Sequence, residues 1–441
     1  MAAQFDSAPS ETYMPANQYL MYTISDTGGA VSASHRFIVR VVRGASTEIA
    51  KLYLTANTNN KAHFDLSSIV KDLLTTDHLQ SDGTGTLWEM STVVDHSLLG
   101  TDKFSVKIGT FDGSSETLDE ATKVIYLTNG SHQIREGLHP DFSAYYATAD
   151  TKKTWLTERT KDAKAFAIAS LSVDGAIRYR FADEDEAVVA WIHDSTIISG
   201  TDTRLSYFLY DSSDSLLQGE SATISSSGGN ALTATDYTQK LHFTGLAPAS
   251  LKFTSTVLPS NNSTWAYYYL VLDAGSAVSP RSHFFRVDKD CGIIKNQRVQ
   301  IAYANRLGGW DYLTFDGNAS KNVTTQNKPY YKALGDYDAA TYTFDPSDRT
   351  SVPYQITSEN KYTLRAQNFS IEENFMLEGL MMSDNVYMRY GDSTSIVGGM
   401  TDRDKWLPVL VDTTSLVIRD KVESRIFDVS LEVTLAQESR C

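Results

Sequence analysis

"RVQIAYANRLGGWDYLTF" occupies residues 298–315 and poses a choice between two architectures. A phosphate-cradling glycine loop opens a helix, whose N-terminus supplies free N–H groups and a positive dipole. A glycine turn between strands is followed instead by residues of strand type. Before the glycines, Val299, Ile301 and Tyr303 alternate with Gln300, Ala302 and Ala304, the period of a strand. After them, Trp310, Tyr312 and Phe315 stand in an aromatic run that suits a strand better than a helix. Between the runs lie Asn305, Arg306, Leu307, Gly308 and Gly309. Loops of this size with glycine join antiparallel strands, because glycine accepts the positive φ of the bend. The stretch therefore reads as a hairpin or sharp connection, with Gly308, Gly309, Trp310, Tyr312 and Phe315 as its structural signature. A sugar platform on Trp310 or Tyr312 is the competing reading, although strand aromatics are more often core.

The same strand grammar runs outward in both directions. "HRFIVRVVRG" (35–44), "TKVIYLTNG" (122–130), "TRLSYFLYDSSDSLL" (203–217) and "TWAYYYLVLDAG" (264–275) are short β-type runs separated by Gly, Ser, Asp and Asn. "AIRYRFADEDEAVVAWIHD" (176–194) reads as two strands around an acidic turn, and "ATISSSGGNALTATD" (222–236) as an exposed loop. In "RIFDVSLEVTLA" (425–436), Phe427, Val429, Leu431, Val433 and Leu435 alternate with Asp428, Ser430, Glu432 and Thr434. One face of that strand is expected to be buried and the other wet.

Two segments carry helical spacing. "FDLSSIVKDLL" (64–74) places Leu66, Ile69, Val70, Leu73 and Leu74 on one stripe, with Asp65 or Ser67 as its helix cap. "SIEENFMLEGLMM" (370–382) starts with Ser370 and Glu373 at capping-box spacing. The expected fold is mainly β: several β-sandwich (Ig-like) domains, a C-terminal α+β module and few short helices. Length predicts about three domains. They are placed at 1–140 (β-rich, with the 64–74 helix), 141–290 (a central β-sandwich) and 291–441 (an α+β assembly module).

Composition narrows the function. Hydrophobic residues make up 41% and charged residues 21%, so the chain can bury real cores and is not of disordered type. The net charge of −15, with no basic cluster longer than a pair, argues against a nucleic-acid partner. "MAAQFDSAPSETYMPANQ" has no basic segment followed by an apolar one, so no signal peptide is expected. No apolar run approaches ~18 residues, so no membrane insertion is expected. The two cysteines, Cys291 and Cys441, make neither a disulfide framework nor a Cys-based metal site.

No catalytic residue can be nominated. The histidines form neither H-x-H nor H-E-x-x-H, and no G-x-S-x-G elbow occurs. The acidic stretches "FADEDEA" (181–187) and "LGDYDAATYTFDPSD" (334–348) lack EF-hand spacing, and solvated turns are the simpler reading beside a calcium loop. The expectation is a non-enzyme with no cofactor and no metal.

Several stretches in this order resemble virion structural proteins of tailed bacteriophages, in particular those of marine bacteria and Bacteroidetes. They are "YMPANQYLMYTIS" (13–25) with "FDLSSIVKDLL", then "YANRLGGWDYLTF", then "FMLEGLMMSDNVYM" with "WLPVLVDTTSLVIRDKVESRIFDVSLEVTLA". The resemblance lies at these signature stretches, and residues 195–280 match nothing in it. It implies a tail, baseplate or ring component of the virion, assembled in the host bacterial cytoplasm. Its expected partners are itself, as a homo-oligomer, and other virion proteins. A capsid decoration or head fibre, and a receptor-recognition protein binding host surface glycan, are the alternatives.

Overall fold

The computed structural model describes residues 2–9, 13–17, 19–28, 35–74, 94–96, 101–131, 155–158, 177–183, 185–192, 203–224, 241–248, 250–253, 256–257, 265–274, 284–289, 299–317, 319–335, 338, 340–347, 349–369, 371–390, 406–413, 427–436 and 439–440. The expected boundaries near 140 and 290, both cysteines, Ser370 and the loop residues 225–236 lie outside the described residues. The fold is mainly β, in multiple sheets with few short helices. Two compact units emerge: residues 1–293 with 303–312 and 375–383, and residues 294–302, 313–374 and 384–441.

The first unit opens with a three-stranded antiparallel sheet of Ala3–Ser7, Met21–Asp26 and Lys61–Asp65. A five-stranded sheet follows, in the order Tyr13–Pro15, Glu116–Thr128, Thr101–Phe111, Arg36–Arg43, Thr47–Thr55. Arg36–Arg43 has a neighbour on each side, and Phe37, Ile38, Val39, Val41 and Val42 are all buried. A near-continuous apolar run suits such a central strand. Its edge neighbour Thr47–Thr55 is more exposed and carries charges instead, with Lys51 bonded to Glu116 at 2.7 Å and Glu48 to Arg40 at 2.6 Å.

A second five-stranded sheet orders Ile177–Phe181, Phe284–Lys289, Trp265–Ala274, Thr203–Asp211 and Leu216–Ile224. Its last two strands form a hairpin whose turn residue Asp214 sits at φ 62°. Asp211 Oδ1 accepts the N–H groups of Ser213 and Ser215, which pins that turn. The strands flanking "FADEDEA" do not form a hairpin. Ile177–Phe181 pairs parallel with Phe284–Lys289, whereas Val188–Ile192 joins Leu241–Gly245 and Val94–His96 in another sheet. The buried Asp185, accepting from the Ala182 N–H at 2.7 Å, holds the connection.

The 64–74 helix needs correction. Phe64 and Asp65 belong to the strand Lys61–Asp65, paired with Tyr22 and Met21. Helix is confined to Ser67–Val70, continued by a 3-10 turn at Lys71–Leu73. Leu66, Val70 and Leu74 are buried, so the stripe is real, but ladder bonds claim its first turn. Asp65 is not the cap: the N-cap position falls on Leu66, which makes no side-chain cap bond, and Asp65 Oδ1 instead accepts the N–H groups of Ser67 at 3.0 Å and Leu20 at 2.8 Å, joining strand to turn. The second helix runs Ile371–Met382 and buries Met376, Leu377 and Leu380, with Glu373 half-buried in its first turn.

An eight-stranded sheet holds most of the second unit's strands. Its order is Trp310–Phe315, Val299–Ala304, Val386–Tyr390, Leu407–Val411, Phe427–Leu435, Ser351–Phe369, Ser320–Tyr331, with Ser439–Arg440 beside Ser351–Phe369. In Phe427–Leu435, Val429, Leu431 and Val433 are buried while Ser430 and Glu432 are exposed, but the expected alternation fails at its end: Thr434 is buried and donates to Asp412, and Leu435 is half-buried.

Glycine is obligatory at one tight approach. A Cβ on Gly309 would lie 2.2 Å from the Leu156 carbonyl oxygen, whereas one on Gly44, at φ 62°, meets nothing within 4 Å. Gly309→Ala is therefore expected to cost about 2–3 kcal/mol by forcing main chain apart. Gly44→Ala is expected to cost only about 1 kcal/mol of left-handed strain. Urea unfolding followed by tryptophan fluorescence checks both, since Trp155, Trp191 and Trp310 are buried in the first unit.

Candidate functional site

The signature residues come together, but as a closed core rather than a binding cleft. Asn305 N–H donates to the Gly309 carbonyl at 2.9 Å and Gly308 N–H to the Asn305 carbonyl at 3.1 Å, closing the turn. Gly308 takes φ 88°, the left-handed conformation the bend requires. The Asn305 side chain uses its full hydrogen-bonding capacity. Its Oδ1 accepts from Leu307 and Gly309 N–H at 3.0 and 2.9 Å, and its Nδ2 donates to the Leu156 carbonyl and to Asp311 at 2.9 and 3.0 Å.

Asp311 lies at the centre. It is fully buried and accepts four hydrogen bonds. The hydroxyls of Thr157 and Tyr179 donate to Oδ1 at 2.5 and 3.1 Å. The Glu158 N–H and Asn305 Nδ2 donate to Oδ2 at 2.8 and 3.0 Å. Beside it, the Tyr303 hydroxyl donates to Glu158 Oε2 at 3.1 Å, and Arg306 Nε lies 3.4 Å from Glu158 Oε1. Desolvation pushes the Asp311 carboxyl above its ordinary 3.8, against the four donors that favour the charged form. Burial likewise holds the Tyr303 and Tyr312 hydroxyls protonated.

Trp310 and Tyr312 are buried at 1% and 2% exposure, so neither presents a ring face to a sugar. The Tyr312 hydroxyl is spent inside, accepting the Val188 N–H at 3.0 Å. Phe315 is also buried. In "TWAYYYLVL", Trp265, Tyr267 and Tyr268 are buried, and the Arg286 guanidinium covers the Tyr267 ring at 4.0 Å. Asp183 of the acidic stretch pairs with Lys289 at 2.9 Å. Among the described residues, no group of three His, Cys, Asp or Glu is placed to hold a metal ion. No helix among them is long and apolar enough to cross a membrane.

A long exposed strand lies in the second unit, on a segment with no sequence signature. Ser320–Tyr331 is exposed along its whole length and pairs only with Ser351–Phe369. Beyond the ladder to Phe427–Leu435, which ends at Lys361, and the short one to Ser439–Arg440, the two strands continue as an arm. Beyond both ladders residues 327–331 pair with 351–356, and five positions at about 3.4 Å each carry the free part about 17 Å to the apex. Near its end Tyr331, Tyr354, Phe344 and Tyr342 are 81%, 64%, 55% and 51% exposed. Its apex is built: Lys332 N–H donates to the Thr350 carbonyl at 2.8 Å, and the Tyr342 hydroxyl to the Leu334 carbonyl at 2.7 Å. Gly335, at φ 87°, leaves room for the Tyr342 ring, which a Cβ would approach to 2.7 Å. Alternating Thr, Asn and Lys in the arm give no apolar period, which hides it in the sequence.

No family model matches the chain, and no curated protein matches it either.

Two substitutions separate charge from hydrogen bonding at Asp311. Asp311→Ala leaves two buried N–H donors and two hydroxyls without their acceptor and is expected to cost about 3–5 kcal/mol. Asp311→Asn is expected to cost less than half of that. Its carbonyl oxygen can keep the two N–H donors while its amide donates to the hydroxyls, which can turn to accept. Because the folded carboxyl holds its proton above 3.8, its contribution to stability is present below that value and lost as pH rises through the raised one. Asp311→Asn should therefore flatten the stability curve in the window just above 3.8, read by urea midpoints across pH.

Proposed function

We propose that the chain is a structural virion protein of a tailed bacteriophage, a tail, baseplate or ring component that acts through oligomeric assembly. The observation that carries the reading is the outer strand Ser320–Tyr331, exposed along its whole length, with exposed aromatic side chains gathered near the end it shares with Ser351–Phe369. Exposed apolar side chains gathered on one element mark a contact surface. The phage resemblance at the N-terminal, central and C-terminal stretches points the same way. The role is mechanical rather than catalytic, for two reasons. The most elaborate polar cluster, around Asp311, is sealed and internally satisfied. The aromatic turn that competes as a sugar platform is core.

Mass spectrometry of gradient-banded particles, with head and tail fractions separated, tests this. The chain is expected in the tail fraction at about six or twelve copies per particle, the stoichiometry of a symmetric ring. Recovery in the head fraction at hundreds of copies would reassign it to capsid decoration. Absence from every particle would overturn the virion reading.

A further inference from the structure

We infer that the apex beyond the outer strand pair is a carbohydrate-binding site, in which the Tyr342 and Phe344 rings stack on a neutral sugar. This is a binding function beside the assembly reading, and it leaves the strand Ser320–Tyr331 itself to assembly.

The two rings are open to solvent together. Tyr342 and Phe344 are 51% and 55% exposed. Their centroids lie 6.5 Å apart with 36° between the planes, so they adjoin and both stay half open. Thr341 and Thr343 beside them are exposed as well.

Tyr342 is nevertheless fixed. Its hydroxyl donates to the Leu334 carbonyl at 2.7 Å. Its ring lies against the main chain of Gly335, where a Cβ would come within 2.7 Å of Cε2 and Cζ. Gly335 takes φ 87°, which other residues adopt only under strain. At the base of the apex, the Lys332 N–H donates to the Thr350 carbonyl at 2.8 Å. An exposed tyrosine ordinarily loses rotamer freedom when it binds, and one already held in place loses little. Rigid tyrosines among short polar residues on a projecting tip have the character of a recognition surface.

Size and charge select the occupant. An aromatic side chain carries about 150–250 Å² of surface, so two half-exposed rings offer roughly 200 Å². That falls well short of the ~800 Å² per partner of a standard protein interface and suits a small, rigid ligand. From 333 to 347 the sequence holds no Lys, Arg or His, and the described acids there, Asp338 and Asp345, are exposed. The Ser347 main-chain N–H and hydroxyl donate to Asp345 Oδ1 at 2.8 and 2.7 Å, which holds that carboxyl below its ordinary 3.8 and charged. Asp345 Oδ2 accepts no bond among the described residues. Such a carboxylate accepts hydrogen bonds from hydroxyls and repels anions. Nucleic acid, anionic lipid and acidic polysaccharide are thereby disfavoured. A neutral sugar matches both features, with an apolar C–H face for the rings and hydroxyl donors for the carboxylate.

The test is affinity electrophoresis of the full chain through gels holding glucan, galactan, mannan or xylan, with polygalacturonate as the acidic control. Retardation by at least one neutral polysaccharide is expected, and none by polygalacturonate. Tyr342→Ala and Phe344→Ala are each expected to raise the dissociation constant about tenfold or more, the loss of one stacking anchor. Tyr342→Phe keeps the ring but frees it from Leu334, and a weakening of only about threefold is expected. Tyr19→Ala, at a residue 52% exposed outside the apex, is expected to leave binding unchanged. Circular dichroism confirms that each variant is folded. Retardation by no neutral polysaccharide, by polygalacturonate alone, or undiminished in both ring variants overturns the site. Cosedimentation with phosphatidylcholine vesicles that the ring variants lose would reassign the rings to a membrane surface and overturn it too. Recovery from banded particles is measured separately, so the assembly reading stands or falls independently of these outcomes.

Discussion

A buried carboxylate holds the centre of the first unit. Asp311 gathers donors from two hydroxyls, one main-chain N–H and one side-chain amide, three of the four from residues more than a hundred positions away in sequence. Removing such a group from water is costly unless its lone pairs are filled, so the surrounding chain must arrive in one arrangement or not at all. Asn305 extends the constraint, satisfying both the turn of its own hairpin and the Leu156 carbonyl. Gly309 completes it, because any side chain there would displace the Leu156 main chain. The glycine pair thus serves close approach of backbone to backbone rather than approach of a ligand.

The second unit shows the opposite economy. Its sheet buries Val429, Leu431 and Val433 of Phe427–Leu435, yet its outermost strand, Ser320–Tyr331, is exposed along its whole length.

The strands were largely legible. Regular alternation in "RVQIAYA" and in "RIFDVSLEVTLA", and the central apolar run "RFIVRVV", follow from the two-residue period and from burial on one face or both. The 64–74 segment was less so. Its apolar spacing fits a helix, but Phe64 and Asp65 find ladder partners in Tyr22 and Met21, and long-range pairing overrides a local period. Asp311 was invisible because a single acid between two aromatics reads as the wet side of a strand. Only the arrival of Thr157, Glu158 and Tyr179 makes that side an interior. The arm was invisible for the converse reason: a strand exposed on both faces has no hydrophobic period to read.

Sequence alone determined the mainly-β class, the turn at Gly308–Gly309, the position of the Ile371–Met382 helix and the net charge of −15. These depend on local periodicity, backbone freedom and net charge, which a linear chain already carries. Tertiary structure decided which strands share a sheet, that "FADEDEA" bridges two sheets instead of closing a hairpin, that Trp310 and Tyr312 are core, and that Ser320–Tyr331 faces solvent. Those outcomes turn on contacts between residues far apart in sequence. Burial is a property of the neighbours a side chain meets, and no residue carries its neighbours in its own identity.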